Sequence, residues 1–287
     1  MIVTAKDLLT KAKEGKYAVG AFNTSSLEIT KGILQAAYEL KTPVIIETSE
    51  GEANFEGYQV FVDTVRDIAE ELAIDVAINL DHGKSLESVK YAIDSGYSAV
   101  HIDCSKMDLA ANTDLTKQVV EVAHAHKVSV EGELGYIGGS SEVHEGEQPK
   151  QEIIFTDPKE AGEYIKATGI DIFAGSYGNV HGIYKNEPKL DIERIKKISD
   201  VSGIPLSLHG GSGIPEGQIK DAIGAGICKI NVNTEIRKAY REALDKALRG
   251  KNAEIVPYKY LPEAINAVKE VVKKKITLFS NGHIFTE

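Results

Sequence analysis

The chain has 287 residues, 42% apolar and 26% charged, which is ample material for a sizeable core. Aspartate and glutamate number 43 against 33 lysines and arginines, and the resulting charge of −10 argues against nucleic acid as the main partner. It does not exclude a small anionic substrate, which a few local donors can hold.

Taken in chain order, one rhythm repeats: a short β-branched run, a polar break, then a segment of helical period. The N-terminal MIVTAKDLLTKAKEGK is amphipathic and lacks the apolar stretch of a signal peptide. Strands are expected at 19–23 and 43–49, separated by the helical pattern LEITKGILQAAYEL. The next are 76–82 and 99–105, with ESVKYAIDSG between them, and then 128–135. Residues 135–153 are rich in glycine and glutamate and form a loop long enough for a functional lid. Strands at 170–176, 205–211 and 229–234 follow, and the tail from Tyr260 reads as a last helix opened by Pro262 and closed by Lys273, Lys274 and Lys275. Apolar residues run almost continuously through these strands, as parallel strands covered on both faces require. Eight strand-then-helix units in a chain near the typical length of about 250 residues favour a single (β/α)8 TIM barrel over an open doubly wound sheet. The barrel carries an extra C-terminal helix and a lid loop after strand five, and residues 1–287 are expected to form one domain. No stretch approaches the roughly 18 apolar residues of a membrane span. Cys104 and Cys228 follow or interrupt apolar runs and are expected to be buried thiols in a reducing cytoplasm.

Polar residues gather where the strands finish. Asn23 closes the first strand, Ser49 the second, Asp81-His82 the third and Asp103 the fourth. Glu131 and Glu133 close the fifth, His181 follows the sixth, His209 ends the seventh, and Asn231 and Asn233 lie on the eighth. In a barrel these ends form one rim around one cavity. Three of the eight histidines, His82, His181 and His209, are each followed by glycine, and three imidazoles from separate strands can form an open metal site. His101, His124, His126, His144 and His283 lack that setting and read as structural or surface residues, with His101 closest to the rim. The turn His209-Gly210-Gly211-Ser212-Gly213 before Pro215 offers backbone N–H groups to a phosphate. Asn233 or Thr234 can cap the helix after the last strand, and Lys185 adds a cation four residues beyond His181. Lys229 stands at the expected start of its strand, on the opposite rim, which argues against a Schiff-base mechanism.

These motifs together resemble the class II fructose-bisphosphate aldolases: Asp-His on strand three, Glu-Leu-Gly-x-x-Gly-Gly after strand five, Gly-Asn-Val-His-Gly-x-Tyr-Lys after strand six, His-Gly-Gly-Ser-Gly-Ile-Pro, and Lys-Ile-Asn-Val-Asn-Thr-Glu. The resemblance runs from Asn23 to the tail. It implies zinc held by His82, His181 and His209, with cobalt or manganese also suited to such ligands, and Asp103 and Glu133 lining a secondary metal position. It implies Asp81 as the acid/base at the aldehyde-derived oxygen and Asn231 steadying the enediolate. Gly182, Lys185, Gly210, Gly211, Ser212, Asn231, Asn233 and Thr234 would hold the dihydroxyacetone phosphate end, beside a monovalent cation, with Asn23 and Ser49 lining the same cavity. A homodimer or homotetramer is implied as well.

Three features depart from the family pattern. In Gly138-Gly139-Ser140-Ser141-Glu142 a serine stands where the lid usually carries its acid/base glutamate, so Glu142 is assigned that role, with Glu145 and Glu147 as alternatives. Val256-Pro257-Tyr258-Lys259 replaces an Asp-Pro-Arg whose arginine reaches the far phosphate, and lysine lacks the bidentate fork. Residues 107–112 also differ from the common pattern, while Asn233, alanine in tagatose-type members, favours fructose stereochemistry. The expected reaction is cleavage of fructose 1,6-bisphosphate to dihydroxyacetone phosphate and glyceraldehyde 3-phosphate. The alternatives are the same chemistry on tagatose 1,6-bisphosphate, an inositol-catabolism intermediate or a sugar with a sulfonate or other distal group, or a non-catalytic barrel that binds a sugar phosphate.

Overall fold

Each apolar run becomes a strand of one closed barrel in the computed structural model, which describes residues 1–144, 154–249 and 254–285. The order begins α1 (Ala5–Gly15), β1 (Val19–Asn23), α2 (Leu27–Leu40), β2 (Val44–Ser49), α3 (Glu50–Glu56), α4 (Tyr58–Leu72), β3 (Val76–Gly83) and α5 (Leu86–Asp94). It continues with β4 (Ala99–Ile102), α6 (Leu109–Ala125), β5 (Ser129–Leu134), β6 (Gly139–Val143), α7 (Pro158–Thr168), β7 (Ile172–Gly175) and β8 (His181–Ile183). The last elements are α8 (Ile192–Ser202), β9 (Leu206–Leu208), α9 (Glu216–Ala225), β10 (Ile227–Val232), α10 (Thr234–Leu248) and α11 (Pro257–Phe279). Eight parallel strands close in the order β1-β10-β9-β7-β5-β4-β3-β2. Among the described residues no helix is long and apolar enough to cross a membrane.

Two cores hold this arrangement. Outside the barrel, residues such as Ile33, Phe61, Val65, Val119, Ile195 and Ile276 bury the apolar stripes of the helices against outward strand residues such as Ile46, Ile78 and Ile230. Each fully buried aliphatic side chain of this size contributes about 1.5–3 kcal/mol. Inside, at the strand starts, Ala21, Ile45, Ala77, Ala99 and Ile172 pack with Leu8, Leu9 and Ala12 of α1, so this helix stoppers one end of the barrel. Its entry is set by Thr4, whose side chain accepts from the Asp7 N–H.

The period of two along each strand decides what lines the other end. Contacts between strands that are not neighbours identify the inward positions. Asn231 on β10 reaches Glu47 on β2, and Lys229 on β10 reaches Glu131 on β5. The inward residues therefore come in polar pairs two apart: Glu47 and Ser49, Asn79 and Asp81, Glu131 and Glu133, Ser207 and His209, Lys229 and Asn231.

Several expectations need correction. β10 begins at Ile227, so Lys229 is not on the opposite rim: it is fully buried inside the barrel, 2.8 Å from Glu131 Oε2. Part of the expected lid loop is a strand, β6, which pairs in parallel with β8 through Gly139↔His181 and Val143↔Ile183. Glu145 and Glu147 lie outside the described residues. The last helix starts at Pro257, in its first turn, with Pro262 inside it, and continues past Lys275 to Phe279. Lys269 and Lys273 do not serve a helix end; both pair with Glu39 of α2. Pro215 is the residue before α9 rather than in its first turn, and Asn233 precedes α10 without a side-chain capping bond.

Candidate active site

At the C-terminal ends of the barrel strands opens a cleft of about 290 Å³. Asn23, Ser49, Asp81, His82, Asp103, His181, Gly182, His209, Gly210, Ser212, Asn231, Asn233 and Thr234 all line it, so residues up to 211 positions apart in sequence share one cavity, as their strand-end placement requires.

The imidazoles are oriented by carboxylates behind them. His82 takes positive φ (53°) at an irregularity in the β3–β4 pairing, which turns its ring toward the axis. Its Nδ1 lies 2.9 Å from Asp103 Oδ2 and donates to it, so the lone pair is on Nε2, a buried atom with no partner among the described residues. His209 Nε2 donates to Glu131 Oε1 at 2.7 Å, leaving the Nδ1 lone pair facing inward. His82 Nε2 and His209 Nδ1 each lie 3.9 Å from Asp81 Oδ1. The backbone N–H of His82 donates to His101 Nδ1 at 3.2 Å, so the other nitrogen of His101 faces Glu133, 3.3 Å away. Donor atoms of Asp81, His82, His101 and His209 fall within 4.8 Å of one another, as do those of His82, Asp103 and Glu133. The His181 ring stands beside this group, its centroid 5.1 Å from that of His82 and 6.0 Å from that of His209.

Electrostatics favours neutral donors here. Burial, reinforced by neighbouring His82, lowers His181 to about 4. Burial also lowers His209 to about 3 against the pull of Glu131. His82 differs: burial opposes its charge, but Asp81, Asp103 and Glu133 together raise its pKa. A site with that balance of anions and lone pairs accepts a cation, and the orphaned Nε2 of His82 is the observation that fits a metal ion. Asp81 itself is held well below the ordinary carboxylate range: burial works against ionisation, and His82, His101, His209 and Lys229 outweigh it. Asn23 Nδ2 and Asn231 Nδ2 donate to its two oxygens at 3.0 and 3.3 Å.

The glycine turns come close to backbone. A Cβ on Gly210 (φ 65°) would lie 2.1 Å from Val180 O, and one on Gly182 (φ 101°) 2.5 Å from Ser140 O. Ser212 and Thr234 are buried in the wall beside them. Gly211 is turned into the barrel, its N–H donating to Asn231 O at 2.9 Å, and Lys185 is exposed; neither lines the cleft. Glu133 is buried behind the histidines. Glu142 is exposed on β6 and off the cleft wall, whereas Ser140 and Ser141 are on it. Ser140 Oγ lies 3.5 Å from Glu142 Oε2, so the glutamate sits at the rim beside a residue that faces inward. Tyr258 is 76% exposed, and Lys259 pairs with Glu254.

Sequence reasoning missed Lys106, Tyr136 and Arg237 on the wall and Glu47, Glu52 and His101 around it. His101, Glu47 and Lys229 had a signal, each being a polar residue two positions before a rim residue. Arg237 had none, because it is on a helix whose exposed face carries other charges.

A family model described as fructose-bisphosphate aldolase class-II matches residues 3–283. The fructose-bisphosphate aldolase of Geobacillus stearothermophilus is 45% identical over 284 residues, 98% of each chain. The probable fructose-bisphosphate aldolase of Bacillus subtilis is 44% identical over 287 residues, 98% of this chain and 99% of that one. Among solved structures, the YdjI aldolase of Escherichia coli K12 superposes with a TM-score of 0.86 at 33% identity, covering 99% of this chain and 100% of the other.

Proposed function

The chain belongs to the class II fructose-bisphosphate aldolase family, and on that premise we propose that it cleaves fructose 1,6-bisphosphate reversibly to dihydroxyacetone phosphate and glyceraldehyde 3-phosphate. As a family member it is a metal-dependent carbon–carbon lyase. We infer further that residues 1–287 act as one barrel domain and that the metal is zinc, held by His82, His181 and His209, with Asp103 and Glu133 available to a second position. The observation that carries the reading is the pair of lone pairs, His82 Nε2 and His209 Nδ1, each 3.9 Å from Asp81 Oδ1 and each fixed by a carboxylate on the other ring nitrogen.

The bond to be broken lies β to a ketone, and its electron pair must be accommodated. When bound, the metal supplies that sink by polarising the ketone oxygen. Asp81, ionised and held by Asn23 and Asn231, removes the proton from the C4 hydroxyl as the C3–C4 bond opens and C4 becomes an aldehyde. The electron pair stays with C3, and the amide of Asn231 donates to the oxygen that gains charge. The proton that C3 then requires comes from Glu142, carried inward from the rim by β6. The 1-phosphate rests on backbone and hydroxyl donors of Gly182, Gly210, Ser212 and Thr234, where glycines permit the close approach. Asn233 and Ser49 contact the remaining hydroxyls.

The test is a coupled assay of dihydroxyacetone phosphate release from fructose 1,6-bisphosphate, tagatose 1,6-bisphosphate and fructose 1-phosphate, with and without a zinc chelator. Chelator-sensitive cleavage led by fructose 1,6-bisphosphate is expected. Poor cleavage of all three by zinc-loaded protein would overturn the substrate assignment.

A further inference from the structure

Resting on the reading above, we propose that Arg237 is the residue that recognises an anionic group at the far end of the substrate and so sets specificity for a bisphosphate over a monophosphate. Among the described residues lining the cleft only Lys106 and Arg237 carry a permanent positive charge. They differ in place. Lys106 follows β4, and Arg237 is in the first turn of α10, directly after β10, which is four strands away round the closed ring.

Arg237 is tied to the part of the wall past which the far end of the substrate must run. Its Nη2 donates to Glu52 Oε1, and Asn23 Nδ2 donates both to Glu52 Oε2, at 3.3 Å, and to Asp81 Oδ2, at 3.0 Å. One polar chain thus links Asp81 to the guanidinium through Asn23 and Glu52. Asp81 serves the C4 oxygen, so carbons beyond C4 leave the metal on the Asp81 side. The 1-phosphate lies toward Gly182, Gly210, Ser212 and Thr234; Arg237 shares the first turn of α10 with Thr234, but its guanidinium is drawn to Glu52 of α3, on the β2 side. A sugar lying between that phosphate site and Asp81 brings its terminal group to the wall formed by Ser49, Asn23 and Arg237.

The guanidinium is built to stay there. Glu52 is 7% exposed and is itself held by Ser49, whose N–H and Oγ–H donate to Oε2 at 2.7 and 2.9 Å. Arg237 Nη1 donates to the Ser141 carbonyl at 3.2 Å, which ties it to β6. These two bonds use two of the five N–H donors and leave three in a fixed plane, on a side chain that is still 41% exposed. Glu52 offsets part of the charge and holds the fork in place, which lowers the ordering cost of binding. A planar fork of this kind matches the oxygens of a phosphate, a carboxylate or a sulfonate. Tyr258 is exposed and Lys259 pairs with Glu254.

The experiment compares Arg237→Gln and Arg237→Lys with the zinc-loaded wild-type enzyme on fructose 1,6-bisphosphate and fructose 1-phosphate. The readout is the ratio of the two kcat/KM values, which a merely structural loss leaves alone because it lowers both together. In Arg237→Gln the ratio should fall by about ten- to a hundredfold, the effect of removing one charge-assisted pair, and Arg237→Lys should recover part of it. An unaltered ratio overturns the proposal, and so does a ratio that falls as far in Arg237→Lys as in Arg237→Gln. Calorimetric binding of the same two sugars decides the case where neither is cleaved. Failure of cleavage then counts against the substrate reading, while tighter binding of the bisphosphate that is lost in Arg237→Gln supports Arg237, and equal binding of both sugars by the wild type overturns it.

Discussion

Replacing Lys229 with methionine removes the lysine from the charged floor beneath the site. Its Nζ is 2.8 Å from Glu131 Oε2 and 3.5 Å from Glu47 Oε2, and all three side chains are enclosed. Burial opposes ionisation of Glu131, but Lys229 and His209 hold it well below the ordinary range. Burial pushes Glu47 up to about 8 despite Lys229, so at neutral pH Glu131 is the anion of the pair. At an effective dielectric constant of about 20, unit charges at 2.8 Å attract by about 6 kcal/mol. Desolvation cancels much of that in the intact pair, yet removing one partner strands the other, which costs about 3–5 kcal/mol. Against a typical total of about 5–15 kcal/mol, the loss is large. Glu131 also accepts the His209 Nε2–H at 2.7 Å, so loosening it should weaken zinc binding about 10–100-fold. Urea unfolding of metal-free protein reads the first effect, and competition with a chelator reads the second. Adding Glu131→Gln to Lys229→Met should restore much of the stability, by removing the stranded charge, but not the zinc affinity. A Lys229→Met protein with the wild-type unfolding midpoint would refute the reasoning.

Asp81→Asn should keep zinc affinity within about threefold, because the imidazoles remain, while cleavage falls by about a hundredfold or more with the loss of the base; cleavage at the wild-type rate defeats the assignment. Glu142→Gln should slow exchange of the C3 proton of dihydroxyacetone phosphate into deuterated water, followed by NMR, more than it weakens binding of that compound; unchanged exchange removes Glu142 from the mechanism. Asp171 accepts from Lys6, His124 and the Val130 N–H, and although burial works against ionisation these partners lower its pKa. A lowered carboxyl stabilises the fold above its unfolded value, about 3.9, and loses that contribution as pH falls through the folded value. Asp171→Asn should therefore cost about 1.5–3 kcal/mol at pH 7 and progressively less as the pH falls below the unfolded value, and a gap in urea midpoint that does not narrow with acidification contradicts this. Stripping zinc should lower stability by about 2.7 kcal/mol relative to protein at a hundred times the dissociation constant, and His209→Ala should abolish that difference.

The barrel was legible because parallel strands need continuous apolar runs and the crossovers need a helical period, and both are written locally. The rim was legible for a related reason: Asn23, Asp81, His82 and His209 break those runs where each strand ends. What lay one layer deeper was harder to read. Lys229 looks like a polar residue before a strand until the strand is known to begin at Ile227, and only then does the alternation put its side chain inside. His101 sits in an apolar stretch and reads there as a structural residue near the rim, although the same alternation places it beneath Asp103. β6 could not be read from Gly139-Ser140-Ser141-Glu142-Val143, which has no apolar face, because its pairing partner β8 supplies the reason for its being a strand. Arg237 depends on tertiary placement alone.

The deeper layer explains why so many ionisable groups can share one small barrel. Asp103 and Glu131 each accept a hydrogen bond from a ring nitrogen, which turns the other nitrogen of His82 and of His209 toward the cavity. Lys229 answers Glu131 from below, and Asn23 and Asn231 donate to the two oxygens of Asp81. Together with the surrounding histidines and Lys229, which outweigh burial, they keep Asp81 ionised and facing the cavity, ready to accept a proton. At the imidazoles themselves, away from Lys106 and Arg237 on the wall, the lone pairs are open to a metal ion. Binding and proton transfer thus fall to different residues of the same ring, and His209 and Asp81 are each held by side chains reaching across the barrel from strands that do not adjoin their own.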